Sequence, residues 1–272
     1  MQSVVINIPS LTVLGVEVPT WGVFAAVAFL LTFFLLIKQS ERRGISHEHM
    51  LGVMLSVLLG GLWGGRIGYL LLNQAEITIE ETLSLPAIFY DGELSVVGAY
   101  FGATILAWFY IRGFDVVDQA KMSMLRLIDT LFYILPFSIS IGYLGAFFSG
   151  SMQGLPSQQA WSIVRDGVSV HPVALYYAGL YLALFVVSYL LRRRVPRSRM
   201  SGFITGMAIV WISIIHTVVP FWEMRDYVIL GISAEQLISL GVCIITGIAI
   251  LVTREHRYQA VKQELVDRRV IF

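Results

Sequence analysis

The sequence predicts an all-α, polytopic membrane protein: seven transmembrane helices, the N-terminus outside, the C-terminus cytoplasmic, and a small extracytoplasmic cap. Three observations carry this. Hydrophobic residues make up 57% of the 272 residues and charged ones only 14%, against about 25% charged in a soluble domain. Seven apolar runs approach the roughly 20 residues needed to cross a bilayer. Finally, sixteen of the nineteen Lys and Arg residues fall on one set of alternate connections, which the positive-inside rule places in the cytoplasm. The formal net charge of +1 points to no partner, and no nucleic acid is expected.

Taken in order, residues 1–20 hold no Lys or Arg, so they lack the basic region of a cleavable signal and read as an outer arm. The first span covers 21–37, and Lys38, Arg42 and Arg43 hold its end inside. The second covers 50–73. An outer loop, ITIEETLSLPAIFYDGEL (77–94), leads to the third span at 94–111, which Arg112, Lys121 and Arg126 connect to the fourth at 123–149. A second outer loop, LPSQQAWSIVRDGVSV (155–170), is mixed polar and aromatic and suits a cap at the interface. The fifth span, 172–191, opens with His171 before Pro172, a residue suited to a first helical turn. Arg192, Arg193, Arg194, Arg197 and Arg199 separate it from the sixth, 203–222. Ser233 as cap and Glu235 in the first turn start the seventh, 233–252. The tail 253–272 is cytoplasmic, with a short charged helix over 258–270. No repeat or long linker divides the chain, so 1–272 reads as one transmembrane domain.

Small residues recur at four-residue intervals: Gly60, Gly64 and Gly68 in span two, Gly98 and Gly102 in span three, Gly142, Ala146 and Gly150 in span four. Lipid gives helices no hydrophobic reason to associate, so such spacing marks seams where backbones approach closely. Ionisable groups inside spans are costly and draw attention to function. Arg66 lies about seven residues from the outer end of span two, roughly 10 Å along a helix. It either forks toward a phosphate or snorkels to the interface. Asp129 follows Arg126 by one turn, which suits an ion pair. His171 and His216 sit near the outer interface, and neither has a second ligand at metal-binding spacing. The single cysteine, Cys243, lies within the last span, which rules out an intrachain disulfide; no metal or cofactor is expected.

Several segments together resemble the prolipoprotein diacylglyceryl transferases of bacterial inner membranes. GGRIGY (64–69), GELSVVGAYFGA (92–103), the run through Asp129, Pro136, Gly142 and Gly145, and HPVALYY (171–177) stand in that family's order and spacing; LGISAEQLISL (230–240) is similar to its last-helix entry. The resemblance implies a multi-pass protein of the bacterial inner membrane. It also implies chemistry in which the diacylglyceryl group of phosphatidylglycerol moves to a lipoprotein cysteine thiol, with cations for the phosphate and groups that manage the thiol proton.

Set against the family pattern, the chain departs where that chemistry lies. The family's His-Gly-Gly stands here as Val97-Gly98-Ala99, and its G-R-I-G-N-F as Gly142-Tyr143-Leu144-Gly145-Ala146-Phe147. Its G-E-L-W-G is Gly150-Ser151-Met152-Gln153-Gly154, and the Glu closing H-P-x-x-L-Y-E is Tyr177. The arginine of its sixth helix has no counterpart; Trp211 is the best match. The resemblance therefore implies no catalytic residue here. The first expectation is a degenerate enzyme that binds an anionic phospholipid such as phosphatidylglycerol through Arg66, Tyr143, His171 and His216, or that partners another membrane protein or a lipoprotein precursor. The alternative is a working transferase with altered chemistry that uses Arg66, Tyr143, His171 or His216.

Overall fold

The structure, a computed structural model, describes residues 8–13, 16–41, 45–73, 94–116, 124–194, 202–224 and 231–270. Seven helices are long and apolar enough to cross a membrane. They are α1 (Thr20–Glu41), α2 (His47–Asn73), α3 (Val96–Gly113), α4 (Met124–Ser149), α5 (Val173–Arg194), α6 (Phe203–Val218) and α7 (Ala234–Val270). A short 3-10 turn, Val219–Trp222, extends α6 to the expected end of its span.

Two elements were not expected. The arm before α1 contains an antiparallel pair, β1 (Ser10–Val13) and β2 (Val16–Pro19). The loop after α4 folds into β3 (Ile163–Arg165) and β4 (Val168–Val170) around Asp166 and Gly167, both at positive φ. This hairpin supplies half of the expected cap; the other half, 77–93, lies outside the described residues. The tail departs from expectation as well. No separate helix forms over 258–270, because α7 runs unbroken to Val270. After Gly247 the sequence offers neither glycine nor proline to stop it.

α2 and α3 make the tightest pair, because glycine faces glycine. A methyl group at Gly64 would sit 2.5 Å from the Gly98 carbonyl oxygen and 2.6 Å from Gly102 Cα, so only hydrogen fits. The Ser95 amide donates to the Gly65 carbonyl at 2.9 Å, a backbone contact between helices that this approach allows. In α4 the expected stripe is corrected. Gly142 has open space beside it, whereas Gly145 packs on Phe24 of α1. Gly150, at φ 74°, ends the helix in the left-handed conformation. Polar contacts add to packing: Thr32 of α1 hydrogen-bonds Ser138 of α4, and the Ser140 hydroxyl donates to the Ala178 carbonyl of α5 at 2.8 Å.

Two buried clusters divide the bundle along its length. One joins Leu36, Met50, Val53, Ile111, Leu127 and Ile134. The other joins Val173, Tyr177, Tyr181, Leu184, Ala208 and Ile215, and it lies toward the hairpin end. At that end the Ile8 amide reaches the Phe148 carbonyl at 2.8 Å, and Gly154 bridges to Glu223. The arm, the end of α4 and the segment after α6 are thereby tied together.

Candidate functional site

The interior of the hairpin half is an aromatic array. Tyr177 and Tyr181 are spaced i, i+4, so they share one face of α5, and both are fully buried. Tyr143 of α4 stacks on Tyr177, with ring centroids 4.6 Å apart and planes 10° apart, and on Tyr181 at 5.6 Å. The Tyr181 hydroxyl lies 2.5 Å from the Tyr100 hydroxyl of α3 and 2.8 Å from His216 Nε2 of α6. If His216 accepts, Tyr181 donates to it and Tyr100 donates to Tyr181, a chain that satisfies all three groups without a charge. Trp211 donates its indole N–H to the Leu180 carbonyl at 3.2 Å and so faces the backbone of α5. Such an array excludes water and contains no lysine or arginine, so it offers a phosphate no permanent countercharge.

Next to this closed array, a cleft of about 730 Å³ opens between α5 and the end of α6. Its volume falls within the range of about 300–1,000 Å³ usual for small-molecule sites. Leu175, Leu180, Val218 and Val219 make the walls. At its rim Tyr176 gathers two partners: the Trp161 indole donates to its hydroxyl at 2.8 Å, and His171 Nδ1 lies 2.9 Å from the same oxygen. Trp222 packs edge-on against Tyr176 at 6.1 Å. Apolar walls under an aromatic, hydrogen-bonding rim suit a molecule that is oily on one side and polar on the other.

Arg165 of β3 anchors this rim to the bundle. Its guanidinium donates to the Phe147 and Met152 carbonyls, at 2.7 and 2.6 Å, and so caps the C-terminal end of α4. Burial pulls its pKa down from the ordinary value and neighbouring Asp166 opposes this. Gly154 permits the next approach, since a Cβ there would strike the His171 carbonyl.

The expected site residues thus fall in three places. Tyr143 and His216 meet in the aromatic array, through Tyr177 and Tyr181. His171 lines the cleft. Arg66 stands apart on α2, 2% exposed, with its guanidinium carbon 5.9 Å from the Tyr69 ring centroid. The ion pair expected between Asp129 and Arg126 involves a side chain outside the described residues, and Asp129 also has a role the sequence reading did not anticipate. Its carboxylate accepts from the Gly202 amide at 2.8 Å and from the Thr205 amide and hydroxyl at 2.9 and 2.7 Å. α6 begins at glycine, which has no side chain to cap it, and Asp129 of α4 supplies the missing acceptor.

Sequence reasoning missed Tyr100, Tyr181, Tyr176 and Trp161. The signal for Tyr181 was present in YYAGLY (176–181), where Tyr177 and Tyr181 at i, i+4 argue for a shared inward face; Tyr176, one position earlier, falls off that face. Trp161 gave none, since its partner Tyr176 lies 15 residues away across a hairpin.

Residues 9–253 match the family model described as prolipoprotein diacylglyceryl transferase. Among curated relatives, a phosphatidylglycerol–prolipoprotein diacylglyceryl transferase of Pseudoalteromonas atlantica is 28% identical over 244 residues, covering 85% of this chain and 83% of the relative. One of the same name from Thermotoga maritima is 24% identical, covering 87% and 82%. Another, from Clostridioides difficile, is 26% identical, covering 67% and 70%. With a match that spans nearly all of the membrane domain, the chain belongs to the prolipoprotein diacylglyceryl transferase family.

Proposed function

We propose that this multi-pass membrane protein keeps the transferase fold without the transfer reaction and serves as a phospholipid-binding member of the family, with its hairpin end outside the cell. One observation carries the reading: Tyr143, at the position the family resemblance gives to an arginine, is stacked into a neutral, closed array with Tyr177 and Tyr181. Losing even one preorganised stabiliser of developing charge costs about 2.7–4 kcal/mol of barrier, and several are replaced here at once. His216, only 5% exposed, holds Tyr181 rather than facing a substrate. The relatives are named for phosphatidylglycerol, and the cleft offers a lipid of that class apolar walls for an acyl chain and the His171–Tyr176–Trp161 rim for its glycerol region. Arg66, buried on α2 and outside the cleft lining, would serve as a separate contact for an anionic headgroup. Another membrane protein or a lipoprotein precursor would then be the partner that such a lipid-bound subunit serves.

Gly179 gives the cleanest test, because it lines the cleft and a Cβ added there meets nothing within 4 Å. Gly179→Phe should fold, since it replaces a helix-interior glycine. It should also lose phospholipid that copurifies with the wild type, measured by mass spectrometry of the purified protein. Arg66→Gln should retain lipid but lose the preference for anionic headgroups. Unchanged lipid content in Gly179→Phe would overturn the cleft assignment.

A further inference from the structure

We propose a second lipid site at the opposite end of the bundle, where α1, α4 and α5 meet: a pocket that takes the headgroup phosphate of an anionic phospholipid. The pocket is a cavity of about 130 Å³ lined by Leu35, Lys38 and Gln39 of α1, Tyr133 and Ile134 of α4, and Phe185 of α5. A water occupies about 30 Å³, so the space suits a phosphate group rather than a whole lipid. Lys38 is exposed and stands one residue before the end of the first apolar span, Thr20–Gln39, where such a span meets the headgroup region. Tyr133 is stacked on Phe185 at 5.6 Å, and the Arg192 guanidinium carbon sits 4.3 Å over the Tyr133 ring. The stacking holds the planar cation beside the pocket, and Tyr133 adds a hydroxyl and Gln39 an amide as neutral donors.

Two features favour a lipid over a soluble anion. Half of the lining is apolar and belongs to membrane-spanning helices, so a lipid's upper acyl region has a surface to lie on. In sequence, basic residues also cluster at and just beyond the ends of α1 and α5, Lys38, Arg42 and Arg43 and Arg192–Arg199, a pattern that attracts an anionic leaflet. Basic pockets between helices at such a surface bind anionic headgroups. The site shares no residue with the cleft between α5 and α6, so either assignment can fail without the other.

The test uses the full-length protein, delipidated in a mild detergent and titrated with dioleoyl phosphatidylglycerol or dioleoyl phosphatidylcholine, with bound lipids counted by native mass spectrometry. Wild type should bind a phosphatidylglycerol that survives in Gly179→Phe, and phosphatidylcholine should not replace it. Lys38→Gln should weaken that event about fivefold and Lys38→Gln/Arg192→Gln about 25-fold, one factor for each charge withdrawn. Wild-type affinity in the double variant would overturn the proposal. So would displacement by millimolar inorganic phosphate, which would make this a free-anion site. Should the double variant fail to purify folded, Lys38→Gln decides alone, because Lys38 is exposed and its replacement leaves the fold intact; unchanged affinity there refutes the site.

Discussion

Asp129 is the residue at which a small change should most clearly separate structural from catalytic inheritance. Its two carboxylate oxygens accept two backbone amides and one hydroxyl from the first turn of α6, at 2.7–2.9 Å, in a position 7% exposed. Asp129→Ala removes all three acceptor contacts and leaves the Gly202 and Thr205 amides without them. Loss of an N-cap costs about 1 kcal/mol and up to about 2, while hydrogen bonds to a charged group contribute about 1.5–3 kcal/mol each. These terms are not additive, and removing the carboxylate also relieves its own desolvation. The net loss should be about 2–4 kcal/mol. Asp129→Asn keeps one acceptor oxygen for Thr205 but turns an amide N–H₂ toward the Gly202 N–H, so it should cost roughly half as much. Unfolding in mixed micelles titrated with dodecyl sulfate measures both. A loss below about 0.5 kcal/mol for Asp129→Ala, or a larger loss for Asn than for Ala, would refute the capping role.

Three further outcomes follow from the same geometry. Gly64→Val should force α2 and α3 apart and cost more than about 2 kcal/mol, whereas Gly142→Ala, with open space beside it, should be neutral or stabilise by up to about 1 kcal/mol; the same micelle titration compares them. Tyr181→Phe removes the oxygen shared by Tyr100 and His216 and should destabilise by about 1–3 kcal/mol without altering lipid content; a loss of bound lipid would instead place that array in the binding site. Reporters fused after residues 195 and 265 should report cytoplasm and one inserted near residue 160 the outside, because five arginines stand between 192 and 199; an outside signal at 195 would overturn the orientation.

What the sequence made legible was set by physics that acts locally. Span length and hydropathy need no knowledge of neighbours, so all seven helices lie within a few residues of expectation where the chain crosses the membrane. The α2–α3 seam was readable because both partners are glycine-rich at the same interval. The same interval misled in α4, where Gly145, off the stripe, faces α1 and Gly142 faces open space; spacing identifies a stripe but not the helix opposite it. Ser233 behaved as read, accepting from the Gln236 amide at 3.3 Å while the Gln236 side chain accepts from the Ser233 amide at 3.0 Å. The capping of α6 by Asp129 was not readable, because its partners lie 73 and 76 positions away. The candidate site divided along the same line. Tyr143 and His216 were identifiable by position, but the array that joins them needs α3, α4, α5 and α6 to converge, and no local pattern encodes that. The cleft depends on Trp161 reaching Tyr176 across a hairpin and was invisible until the chain was folded.

The central claim, that the fold persists while the transfer reaction does not, is tested most directly by the reaction itself. Purified protein is incubated with phosphatidylglycerol and a lipoprotein-precursor peptide bearing its signal cysteine, beside an active family member, and the peptide is analysed by mass spectrometry. With Tyr143 stacked on Tyr177 and Tyr181 where the family pattern has an arginine, no diacylglyceryl thioether should form on the cysteine, although the protein still retains bound phospholipid. Thioether-linked diacylglycerol on the peptide, abolished in His216→Ala, would contradict the account and make the tyrosine–histidine array a working active site.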